Sequence, residues 1–170
     1  LLAVLAIGYF LGVDVTPLLE DPALGGGTAP AELTEADMQA GEFVSVVLAD
    51  TEEIWSAVFA EQVGQAYNPP VLVLYKGVTQ SPCGGASGAT GPFYCPGDNK
   101  IYLDTDFFTT LSRQLGAHGD FAAAYVVAHE VAHHVQDELG ILGKANQGRA
   151  QVSEVESNEI SVRIELQADC

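Results

Sequence analysis

The segment His129-Glu130-Val131-Ala132-His133 constrains this chain more than any other stretch of it. Two histidines four residues apart lie one above the other on an α-helix, so both rings point at one spot. The segment before them, Phe121 to Ala128, is apolar, helix-forming and free of proline. A helix is therefore expected from Asp120 to Leu139, ending at Gly140. Glu130, next to the first histidine, can reach a water held in front of a metal placed between the rings. Val126, Val127, Val131 and Val135 make the helix mostly apolar. Burying two imidazoles and a carboxyl among them is costly unless a metal or hydrogen-bond partners compensate. The competing reading is an ordinary solvated helix face.

A metal needs a third protein ligand. The extended pattern with glycine three and histidine six places after the second histidine fails, because Gln136 and Leu139 stand there. His134 follows His133 directly and points roughly 100° away around the helix, which makes it a poor ligand. His118 reads as a surface residue. There remains a carboxylate from a later helix, and Glu165-Leu-Gln-Ala-Asp169 offers two on one face. Glu165 is the expected third ligand and Asp169 the carboxylate that orients a ligand imidazole from outside. Three protein ligands and one open position is the catalytic zinc pattern, since a structural site is closed by four. An acidic helix stripe would look similar, and Glu154, Glu156 and Glu159 show that this helix is acidic throughout.

The rest of the chain supplies a scaffold. Residues 1–13 (LLAVLAIGYFLGV) are uncharged and apolar, as a helix roughly 20 Å long against a hydrocarbon core of ~30 Å. They are read as a truncated transmembrane anchor, with half of a signal-peptide core or a buried helix as competing readings. The chain opens without Met and closes at Cys170 within a predicted helix, so it is read as a piece of a longer protein. Residues 14–40 read as a linker with a short amphipathic turn at Leu33 to Met38, and 41–170 as the folded domain. Glu42 to Ala49 fits strand or helix equally, and Asp50-x-x-Glu53 predicts the start of a helix that ends near Gly64 with Ile54, Trp55, Val58, Phe59 and Val63 on one side. Val71 to Tyr75 predicts a strand, 77–91 a loop, and Phe93 to Asp104 a hairpin turning at Gly97-Asp98-Asn99. A helix is expected from Asp106 to Leu115, a loop from Gly143 to Gly148, and a last helix from about Gln151. The fold class is α+β, a small sheet followed by helices.

Charge and cysteines narrow the function. Six Lys+Arg stand against 23 Asp+Glu, a formal net charge of -17 that repels phosphate backbones and anionic headgroups, so a nucleic-acid partner is excluded. Cys83 and Cys95 fit no Cys-x-x-Cys motif. A disulfide between them is the natural reading outside the cytoplasm, and two unrelated buried thiols the alternative. Cys170 has no evident partner.

Ala128-His-Glu-Val-Ala-His-His-Val-Gln136, Gly91-Pro-Phe-Tyr-Cys-Pro-Gly-Asp98, Ile101-Tyr-Leu-Asp104 and Glu165-Leu-Gln-Ala-Asp-Cys170 together resemble the bacterial putative neutral zinc metallopeptidases, proteins with one N-terminal membrane span. The resemblance covers roughly residues 40 to 170. It implies a zincin-like fold, with a sheet edge above the His-Glu-x-x-His helix receiving substrate. It also implies His129, His133 and Glu165 as zinc ligands and Glu130 as the catalytic glutamate. The expected activity is a zinc-dependent endopeptidase-type hydrolysis, Glu130 activating a zinc-bound water against a peptide bond. A peptide would add to the edge of the hairpin through backbone hydrogen bonds. Tyr94 and Tyr102 stand as candidate oxyanion donors, with packing the favoured role for each. The expected location is a single-pass membrane protein with its catalytic domain outside the cytoplasm. The rival readings are a non-catalytic, membrane-tethered peptide-binding module and a tethered structural protein that uses its acidic surface.

Overall fold

The computed structural model describes residues 34–87, 90–107 and 120–170. The expected anchor at 1–13, most of the linker, His118 and the stretch expected to be helical beyond Phe107 lie outside them. Among the described residues no helix is long and apolar enough to cross a membrane.

The first helix, α1 (Glu35–Val58), opens on a capping box. The Thr34 hydroxyl accepts the Asp37 N–H at 3.3 Å, and the Asp37 carboxylate accepts the Thr34 N–H at 2.7 Å. Helix thus already runs through residues 35–40, read from sequence as linker, and it passes through Asp50 without a break. The Asp50-x-x-Glu53 signal is local. What decides is Val44, fully buried against Leu103 and Val127, which holds the upstream segment helical. A π-helical turn, Phe59–Val63, follows. The chain leaves the helix at Gly64, as expected, with φ at +73° and its N–H bonded to the Phe59 carbonyl at 2.8 Å. Phe59 is in the core, whereas Ile54, expected on the same side, is exposed.

Five strands follow: β1 (Val71–Tyr75), β2 (Val78–Ser81), β3 (Gly84–Ser87), β4 (Phe93–Cys95) and β5 (Lys100–Asp104). The main sheet has the order β1-β5-β4. β5 runs parallel to β1, with Val73 opposite Tyr102, and antiparallel to β4, with Tyr94 opposite Ile101. The predicted hairpin is therefore present, but β5 lies in the middle of the sheet, and among the described residues β1 and β4 are its edges. β2 and β3 form a second hairpin inside the stretch read as a loop. The Cys83–Cys95 disulfide fastens that hairpin to β4.

Strand alternation sends side chains to two separate cores. Leu72, Leu74, Ile101 and Leu103 pack against the helices, while Val73, Tyr75, Phe93 and Tyr102 pack on the other face with Ala86 of β3. Helix α1 lies close over the sheet at Gly41, where a Cβ would come within 2.7 Å of Leu74 Cδ1. The strongest predicted helix is α2 (Asp120–Glu138). Ala123, Val127, Val131 and His134 form its buried face. Gly140, at φ +70°, turns the chain into α3 (Ile141–Arg149), a helix where a loop was expected. Finally α4 (Glu154–Ala168) opens on a second capping box, Ser153 with Glu156.

Candidate functional site

The faces of α2 separate its histidines. His134 turns inward and is 2% exposed, with Nε2 2.6 Å from the Asn68 carbonyl and Nδ1 3.2 Å from the Tyr94 hydroxyl. It takes no part in the metal-ligating group. His129 and His133 turn instead toward α4. Glu165 Oε2 lies 3.2 Å from His129 Nε2 and 3.4 Å from His133 Nε2. One donor atom from each of the three residues lies within 4.8 Å of the others. Around a tetrahedral zinc with bonds of about 2.0–2.1 Å, neighbouring donors stand about 3.3 Å apart. The two nitrogens and one carboxylate oxygen thus fit a zinc ligand set in chemistry, and both nitrogen–oxygen distances fit it in spacing.

Each imidazole is steered through its other nitrogen. His129 Nδ1 lies 2.8 Å from Asp169 Oδ1, and His133 Nδ1 lies 2.9 Å from Gln136 Oε1. With an acceptor at each Nδ1, a proton held there leaves both Nε2 lone pairs available to a metal. Asp169 also accepts the Tyr125 hydroxyl. That bond, reinforced by His129, holds its carboxyl below the usual carboxylate range. Gln136 does a second job: its Nε2 donates to the Ile164 carbonyl at 2.9 Å and to Gln167 Oε1 at 3.0 Å, tying α2 to α4.

Glu130 is buried below the cleft, 7% exposed, and accepts the backbone N–H of Tyr94 from the edge strand β4. Burial pushes its carboxyl above the ordinary value, against the pull of the two neighbouring imidazoles and of that N–H. The Tyr94 side chain anchors β4 to α2. Its hydroxyl donates to Asp137 Oδ2 at 3.0 Å, with Asn99 Oδ1 at 3.1 Å. The Tyr102 hydroxyl donates to Asp98 at 2.7 Å, and its ring stacks on Phe93. Both hydroxyls thus have protein partners, and Tyr94 also lines the cleft.

A cleft of about 320 Å³ opens over this group, with His129, Glu130, His133 and Glu165 at its base and Phe93 and Arg149 among its walls. Gln136, Arg149 and Tyr125 are site residues that sequence reasoning missed. A glutamine three places after the second histidine is a readable signal for the first, since i and i+3 share a helix face. Arg149 has no such signal, because its position depends on α3, which the sequence reading placed in a loop. Cys170 is a free, exposed thiol.

The family model described as "Putative neutral zinc metallopeptidase" matches residues 1–170. The chain is 44% identical over 170 residues to Uncharacterized protein YpfJ of Escherichia coli strain K12, covering all of this chain and 58% of that relative. It is 50% identical over 105 residues to Uncharacterized protein Rv2575 of Mycobacterium tuberculosis, covering 61% of this chain and 34% of that one. The chain thus spans little more than half the length of the first of these relatives. No solved structure matches.

Proposed function

The chain belongs to the putative neutral zinc metallopeptidase family, and we propose that it is an endopeptidase-type zinc hydrolase in which Glu130 is the general base. His129, His133 and Glu165 would hold the metal. When bound, zinc supplies a Lewis acid that lowers the pKa of a water to about 7 and polarises a carbonyl. The observation that carries this reading is the convergence of those three donor atoms from two helices, with the Glu130 carboxyl beside them.

The chain's own groups then have defined tasks. Asp169 and Gln136 would fix the two imidazoles by accepting hydrogen bonds from their Nδ1–H groups. Glu130 takes a proton from the attacking water and returns it to the leaving amine, as base and then acid. Its burial raises its proton affinity, which suits a group that must accept a proton and release it near neutral pH. The Tyr94 N–H gives that carboxyl a backbone partner in the lining of the cleft. In a zincin-like arrangement of this kind, the outer edge of β4 would align an extended peptide over the base of the cleft through the backbone groups that Glu130 leaves unbonded. Tethering through residues 1–13, with the domain outside the cytoplasm, belongs to the same proposal.

The test is Glu130→Gln. Zinc content, measured by atomic absorption, should persist while hydrolysis of a casein-type substrate falls by a factor of about 10²–10⁴. Hydrolysis at the wild-type rate would remove Glu130 from its assigned role. Full zinc content without turnover in the wild type would leave a peptide-binding module as the better reading.

A further inference from the structure

We propose that Arg149 is the residue of the cleft that recognises a carboxylate on the peptide substrate, and so sets specificity; this rests on the peptidase reading above. Lys and Arg number only six in the whole chain against 23 acidic residues. One of the six stands in the wall of the cleft, half-buried, beside Glu165 and the paired imidazoles. Among the described residues it makes no ion pair with any carboxylate. Neutral acceptors seat it instead: one guanidinium nitrogen donates to Ser161 Oγ at 2.9 Å, and another donates to Asn146 Oδ1. The Ser161 hydroxyl in turn donates to the Ser157 carbonyl at 3.1 Å, which fixes the seat.

A guanidinium has five N–H donors, and these two contacts leave most of them for a ligand. Holding a partly desolvated cation without a counter-charge is unfavourable, and a carboxylate entering the cleft would remove that penalty through paired N–H···O bonds. Glu165 is close in the fold but is turned to the imidazoles, so it does not neutralise the arginine.

The offset decides which part of the substrate is read. Ser161 lies four residues, just over one helical turn, before Glu165 on α4, about 6 Å along the axis. An extended peptide advances about 3.3 Å per residue. A guanidinium level with its Ser161 seat is thus offset from the ligand group by one to two substrate residues, which suits a neighbouring acidic side chain or a terminal carboxylate rather than the reacting carbonyl. Both sources present the same chemistry.

The two sources separate in a binding experiment that does not depend on turnover. Zinc-loaded E130Q protein is titrated calorimetrically, at about 0.15 M salt to screen the net charge of the chain. The probes are capped alanine-rich octapeptides carrying one Glu or Gln at successive positions, and a matched peptide ending in a free carboxylate or an amide. The expected result is about tenfold tighter binding of the acid over its amide in one series: the scanned series if a side chain is read, the terminal pair if the C-terminus is. Adding R149Q should collapse that ratio to near one, and R149K should keep part of it. S161A, which removes the seat but leaves the cation, should lower the ratio severalfold and serves if R149Q does not fold. Equal binding of acid and amide, a ratio that survives R149Q, or no binding of any peptide would overturn the proposal. Cleavage of a neutral peptide by the wild type without carboxylate preference would sink this inference and leave the peptidase reading standing. Arg149-dependent carboxylate binding in a wild type without turnover would do the reverse.

Discussion

Gln136 illustrates how much of a site resides in residues that touch no substrate. Its carbonyl oxygen orients His133, and its amide nitrogen bonds α4 close to Glu165. Replacing it by leucine removes both functions at nearly constant volume. Gln136→Leu should therefore weaken zinc binding by about 10–100-fold, the usual effect of losing an outer partner of a ligating histidine. Competition with a zinc-sensitive chelating dye would measure it, and unchanged affinity would show that His133 needs no such support. At this scale the sequence was eloquent wherever chemistry forces a spacing. His129, His133, Glu165 and Asp169 could be named because i, i+4 pairs on helices must share a face, and the structure brings all four together. Arg149 could not, because its place in the cleft depends on how α3 packs against α4 rather than on any interval along the chain.

Among elements, α1 shows what local signals do and do not decide. Two Asp/Thr-x-x-acid patterns occur along it, and only Thr34-x-x-Asp37 caps a helix. The one at Asp50 sits downstream of Val44, whose burial makes interruption of the helix expensive. Thr34→Ala should cost about 1 kcal/mol of stability, measurable by urea unfolding. Asp37 adds a pH dependence. Lys76, at 2.7 Å, and the Thr34 hydroxyl and N–H hold its carboxyl well below the usual value. Because folding depresses this group, its contribution is complete above the unfolded value of about 4 and drains away as pH falls through the lower folded one. Asp37→Asn should therefore flatten the acid limb of the stability curve between about pH 2 and 4 relative to wild type, and parallel curves would refute the assignment. The second hairpin and α3 were illegible for a related reason. Glycine-rich segments carry weak propensity, and what orders them here is tertiary: Ala86 in the core under Tyr75 and Tyr102 for one, and packing against α4 for the other.

For the molecule as a whole, the disulfide joins the layer behind the sheet to the strand above the cleft. Cys95 belongs to β4, next to Tyr94, whose N–H holds Glu130. The bridge closes a loop with a sequence separation of 12. Chain-entropy reasoning gives such a loop about 3 kcal/mol. Replacing both cysteines by serine should lower the unfolding free energy by about that amount, read by denaturant titration under non-reducing conditions. A loss under about 0.5 kcal/mol would mean that the hairpin is held by packing alone.

The three donor atoms of the cleft belong to two helices, and among the described residues the side-chain links between α2 and the last turns of α4 all run through His129, His133, Gln136 or Tyr125. A divalent ion seated there would therefore act as a clasp, lending its binding free energy to the cohesion of the C-terminal helix. Stripping it with EDTA should leave the sheet and α1 intact while α4 frays, so that trypsin nicks the chain at Arg163 faster, and added zinc should slow the cutting again.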